Sequence, residues 1–401
     1  MRALTVEEVA VREDLAARLG EIRRHLHRHP ELSFQEYQTA AYIASCLEEW
    51  GIPYRRMGET GIVVDIVGEK GEGAHIGIRA DIDALPIEEM TGLPYASAHP
   101  GVMHACGHDG HTAILLGTAY QLHRCKNRWA GRVRCIFQPG EEADGAAQRM
   151  IEQGVLENPR VEGMLALHLW PHLPHGTVGV RYGAITAACD EFVIAIEGQG
   201  GHSARPHQGV DAIAISAQVI QGLSLLVAKE NNPIDPVVVH VGKIKGGSAR
   251  NAIADRVVLE GTVRTVSAQT REKLKNRLIR MTESIAASFG GNAKVEYLTG
   301  HAPVINDEQM TRLLEQRAAE FLGPDAIQLL KEPSMGADDF GAFAEAVPST
   351  YFRLGIGQQG QPVHDLHHPQ FQIDDSILPI GVNVLVWTVL GKLKQGVETG
   401  C

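Results

Sequence analysis

The chain has 401 residues, enough for two or three domains at roughly 150 residues each. Hydrophobic residues make up 44% of it and charged residues 21%, an ordinary globular composition that can bury a large core. The formal net charge of -11 argues against a broad nucleic-acid-binding surface, which needs a basic stripe. It does not exclude an anionic substrate, because a few local cations can override the global sign.

The N-terminal segment and the cysteines bear on location. The first 20 residues carry several acids and no apolar run long enough for a signal peptide. No stretch approaches the ~20 consecutive apolar residues of a membrane span. The six cysteines are scattered without a repeating spacing, which is typical of free thiols in a reducing cytosol. We therefore expect a cytoplasmic protein with no membrane partner.

The first half of the chain alternates helical and strand patterns, which predicts an α/β fold with a mostly parallel sheet. In chain order the patterns predict helices at 7–26 and 34–50, strands at 61–68 and 75–80, a helix at 109–124, a strand at 132–138, a helix at 142–153 and a strand at 164–169.

Near residue 185 the pattern changes to one of half-exposed strands. It predicts a strand at 191–197, a helix at 209–228, strands at 236–245 and 252–264, a helix at 268–289 and a strand at 293–297. This β-α-β-β-α-β order resembles a ferredoxin-like open sheet with two helices on one face. Mixed helix and strand patterns then return and end in a helix at 378–394. We interpret the chain as a catalytic α/β domain (1–186 and 300–401) interrupted by an inserted α+β domain (187–299).

A pair of carboxylates, Asp81 and Asp83, follows the strand that ends near Arg79. Two residues apart, they point the same way if the backbone is extended. A turn or a helix cap explains an isolated Asp-x-Asp equally well, so the pair alone is a weak signal.

A dense cluster of His and Cys occupies a glycine-spaced turn, where His104 and His111 flank Cys106 and His108. A thiolate and an imidazole at this spacing suit a borderline-soft divalent ion such as zinc. Asp109 could then accept a hydrogen bond from a ligand. A Cys–His nucleophile pair is the competing interpretation, because both groups are present.

Adjacent acids, Glu141 and Glu142, follow the predicted strand at 132–138. Acidic side chains at a helix N-terminus are stabilised by the helix dipole, which is one explanation of the pair. The pair also suits a division of labour in which one acid binds a metal and the other acts as a general base for water.

Two further groups of histidines are candidates. His168 interrupts an otherwise apolar strand, where a hydrogen-bonded core histidine is the ordinary interpretation. Near the C-terminus, His364, Asp365, His367 and His368 share a polar loop that is solvated by default. The other candidate ligands raise the case for both groups.

A family resemblance rests on motifs spread over nearly the whole chain. Seven occur in order: Arg79-Ala-Asp-Ile-Asp-Ala-Leu-Pro86, His104-Ala-Cys-Gly-His-Asp-Gly-His-Thr112, Gln138-Pro-Gly-Glu-Glu142, Gly200-Gly-His-Ser-Ala204, Gly247-Ser-Ala-Arg-Asn251, Gly336-Ala-Asp-Asp-Phe340 and Leu366-His-His-Pro369. Together they resemble the metallo-aminoacylase and amidohydrolase family that includes hippurate hydrolases and plant auxin-conjugate hydrolases.

The resemblance implies two divalent metal ions per subunit, with zinc expected and manganese, cobalt or nickel as alternatives. The implied ligands are Cys106 as a bridge, His108, Glu142, His168 and His367. His367 is chosen over His368 because the family's Leu-His-x-Pro pattern places the ligand two residues before proline. Glu141 would be the general base and later the acid, and Asp81 and Asp83 would be supporting residues.

The inserted domain resembles the family's lid and dimerisation domain. There His202 would polarise the scissile carbonyl, from the neighbouring subunit, and Asn251 would help to hold the substrate carboxylate. Arg264 is a weaker candidate for the same anion. One departure from the family pattern is Ala337-Asp338, where a Ser-Glu pair is common; aspartate keeps the charge but shortens the reach.

The implied function is hydrolysis of the amide bond of N-acyl-L-amino acids, of the N-acetyl or N-benzoyl type, by a homodimer with a tetramer as the alternative. A metallo-carboxypeptidase or dipeptidase acting on short peptides is the nearest alternative. A cysteine-nucleophile hydrolase and a catalytically inactive protein that only holds metal are the others.

Overall fold

The computed structural model describes residues 4–143 and 145–398, without the side chains of 394–398. Within these limits the chain forms two compact units. The first unit runs up to Gly183 and includes Ile305–Lys331 and the chain from Ala342 onward. The second unit contains Ala184–Val304 and Glu332–Gly341.

The α-helices of the described chain are α1 (Val6–Val9), α2 (Glu13–Arg28), α3 (Tyr37–Glu49), α4 (His108–Arg124), α5 (Ala146–Glu152), α6 (Ala212–Glu230), α7 (Ala268–Ser288), α8 (Glu308–Leu322), α9 (Phe340–Ala346) and α10 (Ile377–Glu398). The strands are β1 (Arg55–Met57), β2 (Gly61–Val67), β3 (His75–Asp81), β4 (Arg132–Gln138), β5 (Gly163–Pro174), β6 (Val178–Val180), β7 (Gly183–Ala184), β8 (Ala188–Glu197), β9 (Gly201–His202), β10 (Val237–Gly246), β11 (Ala252–Ile253), β12 (Arg256–Thr265), β13 (Asn292–His301), β14 (Ile305–Asn306), β15 (Ile327–Leu329) and β16 (Ser349–Gly357).

The first unit is built on an eight-stranded sheet in the order β1-β2-β4-β3-β5-β16-β6-β15. The central strands β4, β3, β5 and β16 are parallel to one another, and β6 and β15 are also parallel. The remaining neighbours, β1 with β2, β2 with β4 and β16 with β6, are antiparallel. The predicted α/β class with a mostly parallel sheet is confirmed. In such sheets, ligands bind beyond the carboxyl ends of the strands.

The core of this unit explains why its central elements are nearly continuous apolar runs. All seven residues of β3 are buried, and all but the first of β4 are buried. Strands covered by helices on both faces have this composition. The helix α4 is buried over most of its length and packs against α2 and α10. Its first turn, which begins at His108, is therefore held firmly in the core.

Three local differences from the predicted elements have physical causes. The predicted helix 7–26 is two helices, because Ala10 and Arg12 have extended backbone with ψ of 139° and 163°. The predicted helix 142–153 begins only at Ala146, after Gly145 in a left-handed conformation with φ of 80°. The acidic pair before it therefore lies in a turn and not in the first turn of a helix. The buried strand β16, near the middle of the sheet, was not predicted.

The second unit is a four-stranded antiparallel sheet in the order β10-β12-β8-β13, with α6 and α7 packed together beside it. These are the elements of the predicted β-α-β-β-α-β order. The segment Glu332–Gly341 also groups with this unit, although the prediction placed it in the second part of the catalytic domain. Its backbone is hydrogen-bonded here, since Ala187 N–H donates to the Gly336 carbonyl at 2.9 Å and Ser334 N–H to the Ile185 carbonyl at 2.9 Å.

One helix of the described chain, α6, has the length and apolar composition of a membrane span, with a mean hydropathy of 1.5. Length and composition alone are weak evidence for a membrane span, because a buried core helix passes the same test. The helix is capped by Asp211, whose carboxylate accepts from two backbone N–H groups of the first turn. It buries residues such as Val219 and Leu223 in the core of the second unit. Its other side exposes Ile213 and Leu225.

The cysteine side chains that the structure describes include four free thiols: Cys46, Cys106, Cys125 and Cys135. Burial raises the pKa of Cys46 to about 11, so this thiol is poorly reactive. Cys401 lies outside the described residues.

Candidate metal centre

The candidate residues of the first unit come from neighbouring elements at one edge of its sheet. Asp81 is the last residue of β3, and the turn with Glu141 follows β4. His168 lies within β5, and His108 is the first residue of α4. Because β3, β4 and β5 are parallel, the chain that follows them emerges at the same edge.

The turn that presents Cys106 and His108 depends on Gly107. This residue has φ of 87°, a left-handed conformation that side chains other than glycine rarely adopt. A Cβ at this position would also lie 3.4 Å from Leu169 Cδ1. Glycine therefore allows the chain to reverse between the thiol and the imidazole, and both side chains are buried.

The structure brings the predicted ligands together in three overlapping sets. They are the His168 set (Cys106, His108 and His168), the His367 set (Cys106, Glu142 and His367) and the Glu141 set (His108, Glu141 and Glu142). Within each set the candidate ligand atoms all lie within 4.8 Å of one another. Cys106, His108 and Glu142 each belong to two of these sets, so the sets overlap in one cluster.

Individual distances link the sets. Cys106 Sγ lies 3.4 Å from His168 Nε2, and Glu142 Oε1 lies 3.1 Å from His367 Nε2. His108 Nε2 is 3.9 Å from Glu142 Oε1. A single ion could therefore contact several of these atoms after small side-chain adjustments, since ligand–metal distances for zinc are ~2.0–2.3 Å.

The ring of His108 is oriented by Asp83. Its Nδ1 lies 3.0 Å from the Asp83 carbonyl and 3.2 Å from Asp83 Oδ1, so Nε2 faces the cluster. Asp83 is itself held by the Ser33 hydroxyl at 2.6 Å and the Glu142 N–H at 3.0 Å. Such an outer carboxylate fixes the orientation of a ligand imidazole. Sequence reasoning proposed Asp83 and missed Ser33, because a single serine carries no pattern.

His168 is oriented by its own strand. Its Nδ1 lies 2.8 Å from the Leu169 carbonyl, to which it donates, and Nε2 is left facing Cys106. Burial and the neighbouring His111 lower the pKa of His168 well below its usual value. A neutral imidazole is the form that binds a metal.

His367 has an unusual backbone, with φ of 65°. Its N–H donates to the Ala105 carbonyl at 2.8 Å, which ties this loop to the Cys106 turn. A non-glycine residue held in this region points to a functional constraint. His368 Nδ1, by contrast, accepts from the Gln370 N–H at 3.1 Å, so the geometry favours His367 as the member of the cluster.

Two buried polar atoms of the cluster indicate that a cation fits there. His108 Nε2 makes no hydrogen bond to any described residue, and Glu142 Oε1 makes none beyond its 3.1 Å contact with His367 Nε2. Such atoms are costly to bury without a partner. A divalent ion would satisfy both, and a donor set of sulfur, imidazole nitrogen and carboxylate oxygen suits a borderline-soft metal. The residues therefore fit the implied metal centre.

Asp81 lies beside the cluster, and its oxygens are engaged. Arg79 Nη1 donates to Oδ2 at 2.7 Å, and His111 Nδ1 lies 2.6 Å from Oδ1. Although burial opposes it, the charges of His108, His111 and Arg79 hold the pKa of Asp81 well below its usual range. Asp81, His108 and His111 also lie close enough to form a set, but these bonds suit a supporting role for Asp81.

Asp109 does not contact a candidate ligand side chain, contrary to the hypothesis drawn from the sequence. Its Oδ2 lies 2.9 Å from His27 Nδ1 and 3.3 Å from Arg23 Nη1. Asp109 thus joins α4 to α2, and the other ring nitrogen of His27 lies 3.2 Å from Glu89. No local spacing connects residues that are more than 80 positions apart.

Burial shifts the pKa values of two side chains in this turn, His104 and Cys106. Burial lowers the pKa of His104 to about 4, and neither of its ring nitrogens bonds to a described residue. Burial, followed by the charges of Glu142 and Glu141, raises the pKa of the Cys106 thiol well above its usual value. A cysteine nucleophile needs the opposite shift, so the Cys–His nucleophile interpretation loses support.

The predicted residues of the second unit are described separately. His202 in β9 pairs with Ala252 in β11, and the Asn251 carbonyl accepts the Ser203 N–H at 3.1 Å. His202 Nδ1 accepts the Ala204 N–H at 3.1 Å, so a neutral ring carries its proton on Nε2. His202 and Asn251 are exposed.

Two further residues of the second unit make backbone contacts. Arg264 Nη1 donates to the Met335 carbonyl at 2.9 Å, which engages part of its guanidinium group. Asp338, at the position that departs from the family pattern, accepts the Phe340 N–H at 2.8 Å at the start of α9. The substrate-binding role of Arg264 stays a prediction.

Comparisons with known proteins show which family the chain matches. The model of the family described as Peptidase family M20/M25/M40 matches residues 77–390. A probable hydrolase of Synechocystis is 45% identical over 93% of this chain and 95% of that protein. An N-acetyl-L-cysteine deacetylase of Bacillus subtilis is 44% identical, over 89% of this chain and 84% of that protein. An N-acyl-L-amino acid amidohydrolase of Geobacillus stearothermophilus is 41% identical, over 72% and 77%.

Solved structures are similar over the whole chain. A putative aminohydrolase from methicillin-resistant Staphylococcus aureus has a TM-score of 0.90 and 33% identity, covering 97% of this chain and 98% of that one. The YXEP protein of Bacillus subtilis, described as a dinuclear metal binding peptidase from the M20 family, has a TM-score of 0.84 and 35% identity. That match covers 96% of this chain and 99% of that one.

Proposed function

Because the chain belongs to peptidase family M20/M25/M40, we propose that it hydrolyses the amide bond of N-acyl-L-amino acids. The acyl group is of the N-acetyl or N-benzoyl type, and the products are a carboxylic acid and a free amino acid. The family resemblance drawn from the sequence motifs is confirmed, and the chain is a metal-dependent amidohydrolase. The two relatives named for N-acyl substrates support the substrate class.

One observation carries the proposal. The cluster that contains the buried His168 set and the partly exposed His367 set places Glu141 at its margin, with Glu141 Oε2 3.8 Å from His108 Nε2. A carboxylate that adjoins a metal cluster, beside a second carboxylate that belongs to it, is the arrangement that metal-assisted hydrolysis requires.

The cofactor in this proposal is a pair of divalent ions, zinc first and manganese, cobalt or nickel as alternatives. Cys106, His108, Glu142, His168 and His367 would hold the ions, with Cys106 as the shared ligand that the family resemblance implies. Two such ions lower the pKa of a water molecule and stabilise the oxygens of the amide during attack. The similar structure described as a dinuclear metal binding peptidase supports the proposal of two ions.

Glu141 acts as general base and then general acid. Its side chain is only 10% exposed, so it is largely shielded from bulk water. It removes the proton from the attacking water and delivers it to the leaving nitrogen, which is otherwise a poor leaving group. Glu142, one residue later, stays in the His367 set.

The second unit supplies substrate contacts in this proposal. His202 donates from Nε2 to the scissile carbonyl oxygen, and the bond from the Ala204 N–H to its Nδ1 supports that tautomer. Asn251 binds the substrate carboxylate, with Arg264 as the weaker candidate for the same anion. A good donor to a developing oxyanion contributes ~3–4 kcal/mol.

We also propose a homodimer in which His202 acts on the neighbouring subunit, with a tetramer as the alternative. The support for this assembly is the resemblance of the second unit to the family's lid and dimerisation domain. The free buried thiols, such as Cys135, support a reducing cytoplasmic location.

A metallo-carboxypeptidase or dipeptidase is the second candidate function. The matching family is described as a peptidase family, and the protein of one similar structure is described as a peptidase. The chemistry at the cluster is the same for both functions, because only the acyl group on the scissile nitrogen differs. The walls of the substrate pocket decide between them.

Metal analysis combined with a substrate panel tests the proposal. The purified protein is assayed with N-acetyl-L-, N-benzoyl-L- and the matched D-amino acids, and with dipeptides, before and after chelation. We expect faster turnover of the N-acyl-L substrates, loss of turnover on chelation, and recovery when metal is returned. Glu141→Gln is the control that keeps the metal and removes the base.

Three outcomes would contradict the proposal. Turnover of dipeptides without turnover of N-acyl-amino acids would assign a peptidase. Turnover that survives complete metal removal would exclude the metal centre. Bound metal without turnover of any substrate in the panel would favour a protein that only holds metal.

A further inference from the structure

His111 lies one turn after His108 on α4 and is buried, with 1% of its surface exposed. Both of its ring nitrogens have hydrogen-bond partners. Its Nδ1 lies 2.6 Å from Asp81 Oδ1, and its Nε2 accepts the Leu169 N–H at 3.0 Å. A backbone N–H can only donate, so the proton of the ring is on Nδ1. The sequence left His111 as a possible ligand, and these bonds give it other partners.

The partner of His111 on β5 is the residue that orients His168. The Leu169 carbonyl accepts the hydrogen bond from His168 Nδ1 at 2.8 Å. The preceding peptide, between His168 and Leu169, donates its N–H to His111. The rings of His111 and His168 also contact edge to face, with centroids 4.6 Å apart. His111 therefore holds the backbone from which the ligand ring is positioned.

The hydrogen bonds between Asp81 and His111 and between Leu169 and His111 form a bridge between β3 and β5. The parallel pairing of β3 with β5 ends at Arg79 and Ala166, before either strand reaches the cluster. Beyond that point the side chains of Asp81 and His111 connect the two strands, with the backbone N–H of Leu169 as the donor on β5. Asp81 is anchored by Arg79 at 2.7 Å. Buried hydrogen bonds of this kind polarise one another and give a rigid connection.

We propose that His111 is a positioning residue for His168, and that it sets the metal affinity of the His168 set alone. The inference rests on the two-metal centre proposed above. Asp83, Glu142 and His367 form no recorded bond with His111, within the part of the chain that the structure describes. The His367 set keeps its own supports, which are the Glu142 turn and the His367 loop. Loss of His111 therefore weakens one of the two metal equivalents.

The test uses two substitutions of His111 and one control. His111→Leu removes both hydrogen bonds, and His111→Gln keeps one donor and one acceptor. Gln121→Leu is the matched control, since Gln121 is also buried on α4 and its Nε2 donates to the Val9 carbonyl at 2.9 Å, away from the cluster. Each protein is stripped of metal, checked by thermal unfolding, and titrated with Zn²⁺ in competition with a chromophoric chelator.

We expect two Zn²⁺ equivalents in the unsubstituted protein and in Gln121→Leu. In His111→Leu one equivalent should weaken by roughly 10–100-fold, the usual effect of losing an outer support of a ligand. The other equivalent should be unchanged, and His111→Gln should recover part of the loss. If His111→Leu does not fold, Asp81→Asn carries the test, because it removes the charge that holds His111 Nδ1 while keeping the side-chain size.

Two unchanged equivalents in a folded His111→Leu protein, or in Asp81→Asn where His111→Leu does not fold, would overturn the inference. Equal weakening of both equivalents would also overturn it, because it would indicate general destabilisation. An unsubstituted protein that binds no Zn²⁺ would overturn both this inference and the proposed function. Two bound equivalents without turnover of N-acyl-amino acids would overturn the proposed function alone.

Discussion

Cys106 Sγ lies 3.4 Å from Nε2 of His168, a residue 62 positions further along the chain. Such a contact suits either a shared metal ligand or a Cys–His nucleophile pair. Burial and the nearby Glu142 and Glu141 raise the pKa of the thiol, which favours the metal. A metal stabilises the thiolate directly, whereas a nucleophile needs a low pKa before substrate arrives.

Replacement of Cys106 separates these two roles. Because Cys106 belongs to both the His168 set and the His367 set, Cys106→Ser should lower the affinity for both metal equivalents. Metal content after dialysis, measured by elemental analysis, reports the loss. Cys135→Ser is a matched control, since Cys135 is buried in β4 and belongs to none of the sets. Full metal content in Cys106→Ser, together with lost turnover, would instead support a nucleophile.

Replacement of Glu141 tests the general base. Glu141→Gln keeps the size of the side chain and removes the proton acceptor, so metal content should not change. The turnover number should fall by about 10²–10⁴-fold, which is the typical contribution of general acid–base catalysis. Glu142→Gln should behave differently and lose metal, because Glu142 belongs to the His367 set. Substantial turnover in metal-loaded Glu141→Gln would remove Glu141 from this role.

Mixed oligomers test whether His202 acts on the neighbouring subunit. Subunits with His202→Ala and subunits with Glu141→Gln should each be nearly inactive alone. After subunit exchange, a mixed dimer would contain one site with both Glu141 and a partner's intact His202, so activity should return. Exchange is verified with differently tagged subunits. A mixture that exchanges fully and stays inactive would place both residues in the same subunit's site.

The buried pair of His27 and Asp109 predicts a dependence of stability on pH. Burial alone would lower the pKa of His27, but its hydrogen bonds to Asp109 and Glu89 raise it from 6.5 to about 9, against the charge of Arg23. The ring edge also meets Tyr95. Since the folded pKa is higher than the unfolded pKa, the stabilisation is complete below pH 6.5 and is lost as the pH rises through about 9.

The free energy of unfolding of the unsubstituted protein and of His27→Gln measures this effect. At a fixed excess of metal, the difference between them should be largest below pH 6.5 and should shrink by pH 9. A shift of this size corresponds to about 3 kcal/mol at most, at 1.36 kcal/mol for each pKa unit. Denaturant unfolding at several pH values supplies the data. If the difference in free energy of unfolding grew with pH, the stabilisation would not come from a protonated His27.

The sequence alone determined the chemistry of the site. Glu141 and Glu142 were selected because they follow a predicted strand, and Cys106 and His108 because they share a glycine-spaced turn. Their assignment as base and metal ligands came from the family resemblance. The order of helices and strands was also readable, because hydrophobic periodicity depends on local burial. The strand β16 was not predicted, because a short buried segment has no distinctive hydrophobic periodicity.

The tertiary structure decided which side chains meet. The partner of Asp109 is His27 on α2, and the partner of His111 is the backbone of Leu169 on β5. Neither contact follows from spacing, because each depends on how α2 and α4 pack and on where the pairing of β3 with β5 ends. Residue type fixes what a side chain can donate or accept. The packing of distant elements fixes the partner, because hydrogen bonds need atoms within ~3 Å.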